Sequence, residues 1–135
     1  MPGPTDFPQI LTTTSTATQA ITTTTETVIA TLTNINSRGS NFPINFTGSA
    51  VFVVQAATTL VTMRIRIGSV TGTVIGVAQP VAGGIAGDIT NADGTVGAQF
   101  VPSAEVAGMT VVLTIQATAA GANWNVTYAS LIAQQ

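Results

Sequence analysis

Leu60-Val61-Thr62-Met63-Arg64-Ile65-Arg66-Ile67 alternates without a break. Val61, Met63, Ile65 and Ile67 fall on one face of an extended chain, and Leu60, Thr62, Arg64 and Arg66 on the other. A period of two marks a strand with one buried face. A polar opposite face is the pattern of an antiparallel rather than a parallel sheet. A solvated strand face is the default reading of Arg64 and Arg66, but two like charges side by side repel, so partners are also expected. Glu26 and Glu105 are the only glutamates that can supply them, within the subunit or across an interface.

The same alternation recurs on either side. Val111, Leu113, Ile115 and Ala117 oppose Thr110, Val112, Thr114 and Gln116, while Trp124, Val126, Tyr128, Ser130 and Ile132 oppose Asn123, Asn125, Thr127, Ala129 and Leu131. Phe46, Ala50, Phe52 and Val54 make one side of another extended segment. A threonine tract from Leu11 to Thr27 is rich in branched Cβ atoms, which favour strand over helix; it predicts two strands with a break near Thr18-Gln19-Ala20. Turn signals stand at Asn34 to Asn41, Gly68-Ser69, Gly83-Gly84, Asn91-Ala92-Asp93-Gly94 and Ala120-Gly121-Ala122, spaced by the length of a short strand. No stretch carries a helical stripe with caps. The prediction is an all-β, antiparallel two-sheet sandwich of jelly-roll type with about eight strands.

Composition narrows the chemistry. Of 135 residues, 45% are apolar and 6% charged, against about a quarter charged in ordinary soluble domains. The charges are Arg38, Arg64 and Arg66 against Asp6, Glu26, Asp88, Asp93 and Glu105. Histidine, cysteine and lysine are missing, and with them the usual general base, nucleophiles and soft metal ligands. No catalytic residue, metal site or cofactor site is therefore expected. Three arginines and a net charge of −2 do not make the basic patch that a phosphate backbone needs, so nucleic acid is not an expected partner. The first residues lack the basic and apolar regions of a signal peptide, and no apolar run reaches the ~18 residues of a membrane span. Production in a cytoplasm, with no membrane partner, is the corresponding expectation.

Several motifs have two readings. Asp88-Ile89-Thr90-Asn91-Ala92-Asp93-Gly94 groups oxygen ligands that would suit a hard cation, but its spacing lacks the closing bidentate glutamate, and it serves equally as a β-turn. We read it as a turn. Trp124 and Tyr128 share a strand face as a sugar-stacking platform would, yet Val126 and Ile132 share it too, which reads as a core row. Some strands are apolar on both faces: Val51 and Val53 oppose the Phe46 row, and Ile29 and Val112 face away from their inner rows. With so few charges, these four residues predict a sheet face buried against copies of the same chain.

Residues 1 to 10 contain Pro2, Pro4 and Pro8, which fix the backbone and remove donors. The domain division is an extended N-terminal arm over 1–20 and a β-sandwich over 21–135, with Pro2, Pro4, Phe7, Pro8 and Ile10 as attachment residues.

Val61-Thr62-Met63-Arg64-Ile65-Arg66-Ile67-Gly68 followed by Thr71-Gly72-Thr73-Val74-Ile75-Gly76, and Pro102-Ser103-Ala104-Glu105-Val106-Ala107-Gly108-Met109-Thr110-Val111-Val112-Leu113-Thr114-Ile115-Gln116, resemble small β-rich virion proteins of tailed bacteriophages, of decoration, cement or head-fibre type. The resemblance covers residues 25 to 133 and is one of composition and strand order. It implies a trimeric jelly-roll or tumour-necrosis-factor-like sandwich at the virion surface, bound to a major capsid protein through the arm, with no catalytic residues. The alternatives are a jelly-roll capsid building block and a carbohydrate- or receptor-binding fibre tip.

Overall fold

The computed structural model describes residues 10–21, 24–54, 60–77, 81–82, 90–117 and 124–135. These residues form ten strands and no helix: β1 (Ile10–Ser15), β2 (Gln19–Ile21), β3 (Thr27–Arg38), β4 (Ile44–Val54), β5 (Leu60–Ile67), β6 (Val74–Val77), β7 (Val81–Ala82), β8 (Thr90–Phe100), β9 (Glu105–Ala117) and β10 (Trp124–Gln134). β1 and β2 both pair with β10, and β6 and β7 both pair with β5, so each couple is one interrupted lane. That leaves eight lanes in two sheets, the number the alternation predicts.

The first sheet runs β1/β2, β10, β4, β8, and the second β3, β9, β5, β6/β7. Counted along the chain, lanes one, eight, three and six make the first sheet and lanes two, seven, four and five the second. Every pairing is antiparallel. First pairs with last, second with seventh, third with sixth and fourth with fifth, which is the rolled ribbon of a jelly roll. The fold class predicted from the sequence is the one observed.

The core lies between the sheets. Val61, Met63 and Ile65 of β5 and Val111, Leu113, Ile115 and Ala117 of β9 face Phe46, Ala50 and Phe52 of β4 and Leu131 of β10, all buried. The alternation that decides the fold thus reads true in β5 and β9. Gly48 of β4 sits under Leu113: a Cβ there would lie 2.6 Å from Leu113 Cδ1. The leucine reaches across the sandwich into the space the glycine leaves.

Four expectations are corrected. Residues 10–15 and 19–20 belong to the first sheet and not to an arm: Ile10 pairs with Gln134 and Ser15 with Ala129. A β10 without this lane would leave a row of unpaired backbone groups, and the branched threonines suit the strand. The break in the tract falls at residues 16–18 and shares only Thr18 with the expected Thr18-Gln19-Ala20, Gln19 and Ala20 belonging to β2.

Asn91-Ala92-Asp93-Gly94 is not a turn but part of β8, with Asp93 opposite Val51 and Gly94 opposite Ala50. The eleven-residue β4 offers hydrogen bonds along its whole length, and tertiary pairing overrides the local turn preference.

The β10 row is split by an irregularity between Val126 and Tyr128. Val126 points inward, whereas Tyr128 and Ile132 point outward and Ala129, Leu131 and Ala133 take the inner positions. One extra residue exchanges the two faces of everything that follows it.

Ile29 and Val112 do not offer surface to a partner, being only 2% and 3% exposed. Ile29 lies at a bulge between Val28 and Ala30 that turns it into the core. Val112 does face outward from its sheet, but it is covered by its own chain, between Thr31 and Arg66 in register. The Asn34 to Asn41 turn signal is borne out in its second half, where the Phe42 amide donates to the Gly39 carbonyl at 3.1 Å and Gly39 takes a φ of 94°; Asn34 itself lies within β3 with a φ of 59°, a conformation asparagine tolerates better than most residues. The Gly83-Gly84 and Ala120 to Ala122 signals, and Pro2, Pro4, Phe7 and Pro8, lie outside the described residues.

Candidate interaction surface

The two outward faces of the sandwich differ in kind. On the second sheet, Glu26 lies over β9 and β5 just before β3 begins. Arg66 grips its carboxylate in two places, Nε donating to Oε1 at 2.9 Å and Nη2 to Oε2 at 2.8 Å. Thr114 Oγ1 donates to the same carboxylate at 2.6 Å, and Arg64 Nη1 stands 3.5 Å away while donating to Gln116 Oε1 at 2.8 Å. Gln116 in turn donates to the Thr24 carbonyl, and Arg66 Nη1 to that of Gly72. The default reading of a solvated strand face is thus corrected: Glu26, one of the two candidate carboxylates, pairs with these arginines within the subunit.

This cluster is mostly shielded: the Glu26 side chain is 13% exposed and that of Arg66 17%. Burial pushes the Glu26 carboxyl up. Hydrogen bonds from Arg66 and Thr114, and the charges of Arg66 and Arg64, more than offset this and hold it below its ordinary 4.5. A carboxyl held lower in the folded state than in the unfolded chain stabilises the fold fully above 4.5, and the contribution fades as pH falls through the folded value. The urea midpoint is therefore expected to drop on acidification below that point. In Glu26→Gln, this component of the acid loss disappears.

Among the described residues, the outward face of the first sheet carries no such network. Its rows, read across β1, β10, β4 and β8, are Ile10, Gln134, Asn45, Gln99; Thr12, Ile132, Thr47, Gly97; and Thr14, Ser130, Ser49, Thr95. A fourth row is Tyr128, Val51, Asp93. Asp93 is the only charged residue in these rows, and it stands on the edge lane. Ile10 is 64% exposed, Tyr128 37% and Ile132 36%, with Val51 partly covered. The Gln99 amide donates to Asn45 Oδ1 at 3.2 Å across the lanes.

Of the residues singled out from the sequence for self-contact, Val51 stands on this face. The side chain of Val53 lies outside the described residues, as does that of Trp124. Tyr128 and Ile132, which the alternation assigns to the core, stand with Ile10 as the exposed apolar groups of this face. No alternation rule could have found them without the bulge.

The described end of the sandwich adds a smaller feature. Arg38 stacks over Phe42 at 4.1 Å, and a shallow hollow is lined by Asn36, Ser37, Glu105, Val106 and Ala107. Ser37 Oγ donates to the Ala104 carbonyl, and Asn36 Oδ1 accepts from the Gly108 amide, so these polar groups are engaged in holding the β3–β9 end together.

The lane order and the two packed sheets define a jelly-roll β-sandwich, and comparison with solved structures places this fold beside viral capsid proteins. The chain is similar to the VP2 protein of infectious bursal disease virus: in the D431N mutant seen as derived T=1 particles, the TM-score is 0.58 at 13% identity, over 95% of this chain and 32% of that one. For the VP2 subviral particle the TM-score is 0.58 at 12% identity, over 95% and 33%. The chain thus spans about a third of the length of the VP2 chains it matches. At this identity the likeness concerns the fold. No protein-family model and no curated protein matches the sequence.

Proposed function

We propose that this chain is a non-enzymatic structural subunit of a virion, a homotrimeric decoration or cement protein. In this reading it attaches to a major capsid protein through residues 1–9, with Pro2, Pro4, Phe7 and Pro8 in the contact and Ile10 at the root of the arm where β1 begins. The observation that carries the reading is the outward face of the first sheet: a broad jelly-roll surface with exposed Ile10, Tyr128 and Ile132 and, among the described residues, a single charge. A surface of this kind is suited to burial, and side chains that run to threonine, serine, isoleucine and valine suit a scaffold more than a reaction centre.

Electron microscopy and sedimentation of the purified chain test this. Discrete particles of a few copies are expected. Closed shells would instead support the capsid building block, the second reading, which the likeness in fold to VP2 favours. Phe7→Ala in the full chain is expected to leave the solution mass unchanged and to weaken co-sedimentation with shells of the major capsid protein. Unaltered co-sedimentation would count against the arm.

A further inference from the structure

We infer that the outward face of β1, β10, β4 and β8 is the surface through which copies of this chain associate, its occupant being a second copy of the same chain. This rests on the self-associating subunit proposed above and says which of its faces is used.

The choice between the faces follows from charge. On the second sheet, Glu26 is held by Arg66 and Thr114 with Arg64 close by, so that face already spends its charged groups on one another. Packing another protein there would require removing water from a cluster whose net charge is positive. Among the described residues of the first sheet's outward face only Asp93 would have to be kept wet, and at the β8 edge it can stay at the rim. Burial of a lone charge at the centre of an interface is what costs most, and here the centre holds none.

Ordering costs point the same way. At their middle the central lanes present Thr47, Ser49 and Ile132, short or branched side chains with few rotamers to lose, with Gln134 and Asn45 toward one end and no lysine, arginine or glutamate. Size fits as well. Four lanes spaced about 4.8 Å apart, with strands of about eleven residues rising about 3.4 Å each, make a face of about 700 Å² before side-chain relief is counted. A standard stable interface takes about 800 Å² from each partner. One face therefore supplies about the area of one such contact, which in the proposed trimer each subunit divides between its two neighbours, and a copy of the same neutral surface matches it in polarity.

The test compares solution masses of full-length variants by light scattering. Ile132→Lys and Thr47→Lys place a charge on neighbouring central lanes, Ile132 and Thr47 being in register. Both positions are exposed in the single chain, so folding should survive, and circular dichroism and thermal melts confirm that it has. Val77→Lys, at an exposed apolar position on the edge of the second sheet, is the control. The first two variants are expected to weaken association by about 100-fold, as burying an unpaired charge does, and to run as monomers at micromolar concentration. Val77→Lys should keep the wild-type mass. If Ile132→Lys and Thr47→Lys both retain the oligomer, this face is wrong while the oligomeric subunit stands. A wild-type chain that is monomeric at every concentration overturns both.

Discussion

Replacing Leu113 by alanine is expected to lower the free energy of unfolding by about 3–5 kcal/mol, read from urea melts, because the hole it leaves cannot be refilled. Leu113 is fully buried at the middle of β9, an inner lane of its sheet. Its methyl groups occupy the space above Gly48, where a Cβ would meet Cδ1 at 2.6 Å and Cδ2 at 3.2 Å. The facing residue has no side chain to move in, so relaxation is small and the cost belongs at the upper end of its range. Gly48→Ala alone overpacks the same point and should cost about 1–2 kcal/mol. Combined with Leu113→Ala it should recover stability, because the new methyl enters the cavity. A double mutant no more stable than Leu113→Ala alone would show that the two residues do not share one space.

Glu26→Ala is expected to cost about 3 kcal/mol, through a different mechanism. The carboxylate accepts from Arg66 twice and from Thr114 once, and its charge offsets those of Arg64 and Arg66. Removing it leaves two guanidinium groups on one strand face, one of them largely shielded, with no carboxylate on either. Breaking such a pair from one side is costly because the remaining charge keeps its burial and loses its partner. Glu26→Gln keeps the shape and should fall between wild type and Glu26→Ala. Equal melting of Glu26→Ala and wild type at neutral pH would show that the network contributes nothing to stability.

Much of this structure was legible in the sequence wherever one rule governed a whole strand. The alternation of Val61 to Ile67 and of Val111 to Ala117 placed the core of the second sheet correctly, since β5 pairs with the inner lane β9 in an unbroken register. The shortage of carboxylates makes Glu26 one of only two candidate glutamate partners for Arg64 and Arg66, beside the default of a solvated face. What could not be read was wherever one residue is inserted. The irregularity before Tyr128 and the bulge at Ile29 each exchange inside for outside, and no local signal announces them, because bulges are set by the partner strand. That error reaches Ile29, which is core, and Tyr128 and Ile132, which stand on the outward face; Val112 faces outward as read and is covered by the neighbouring strands instead. The turn signal at Asn91 to Gly94 failed for a related reason, since β4 offers a long ladder and the chain takes it.

Self-association is the central claim, and the mass of the purified protein in solution tests it most directly. Light scattering should give about 41 kDa, three copies of the 13.6 kDa chain, stable on dilution into the micromolar range. A single species of 13.6 kDa at all concentrations would contradict it and leave the face of β1, β10, β4 and β8 to water.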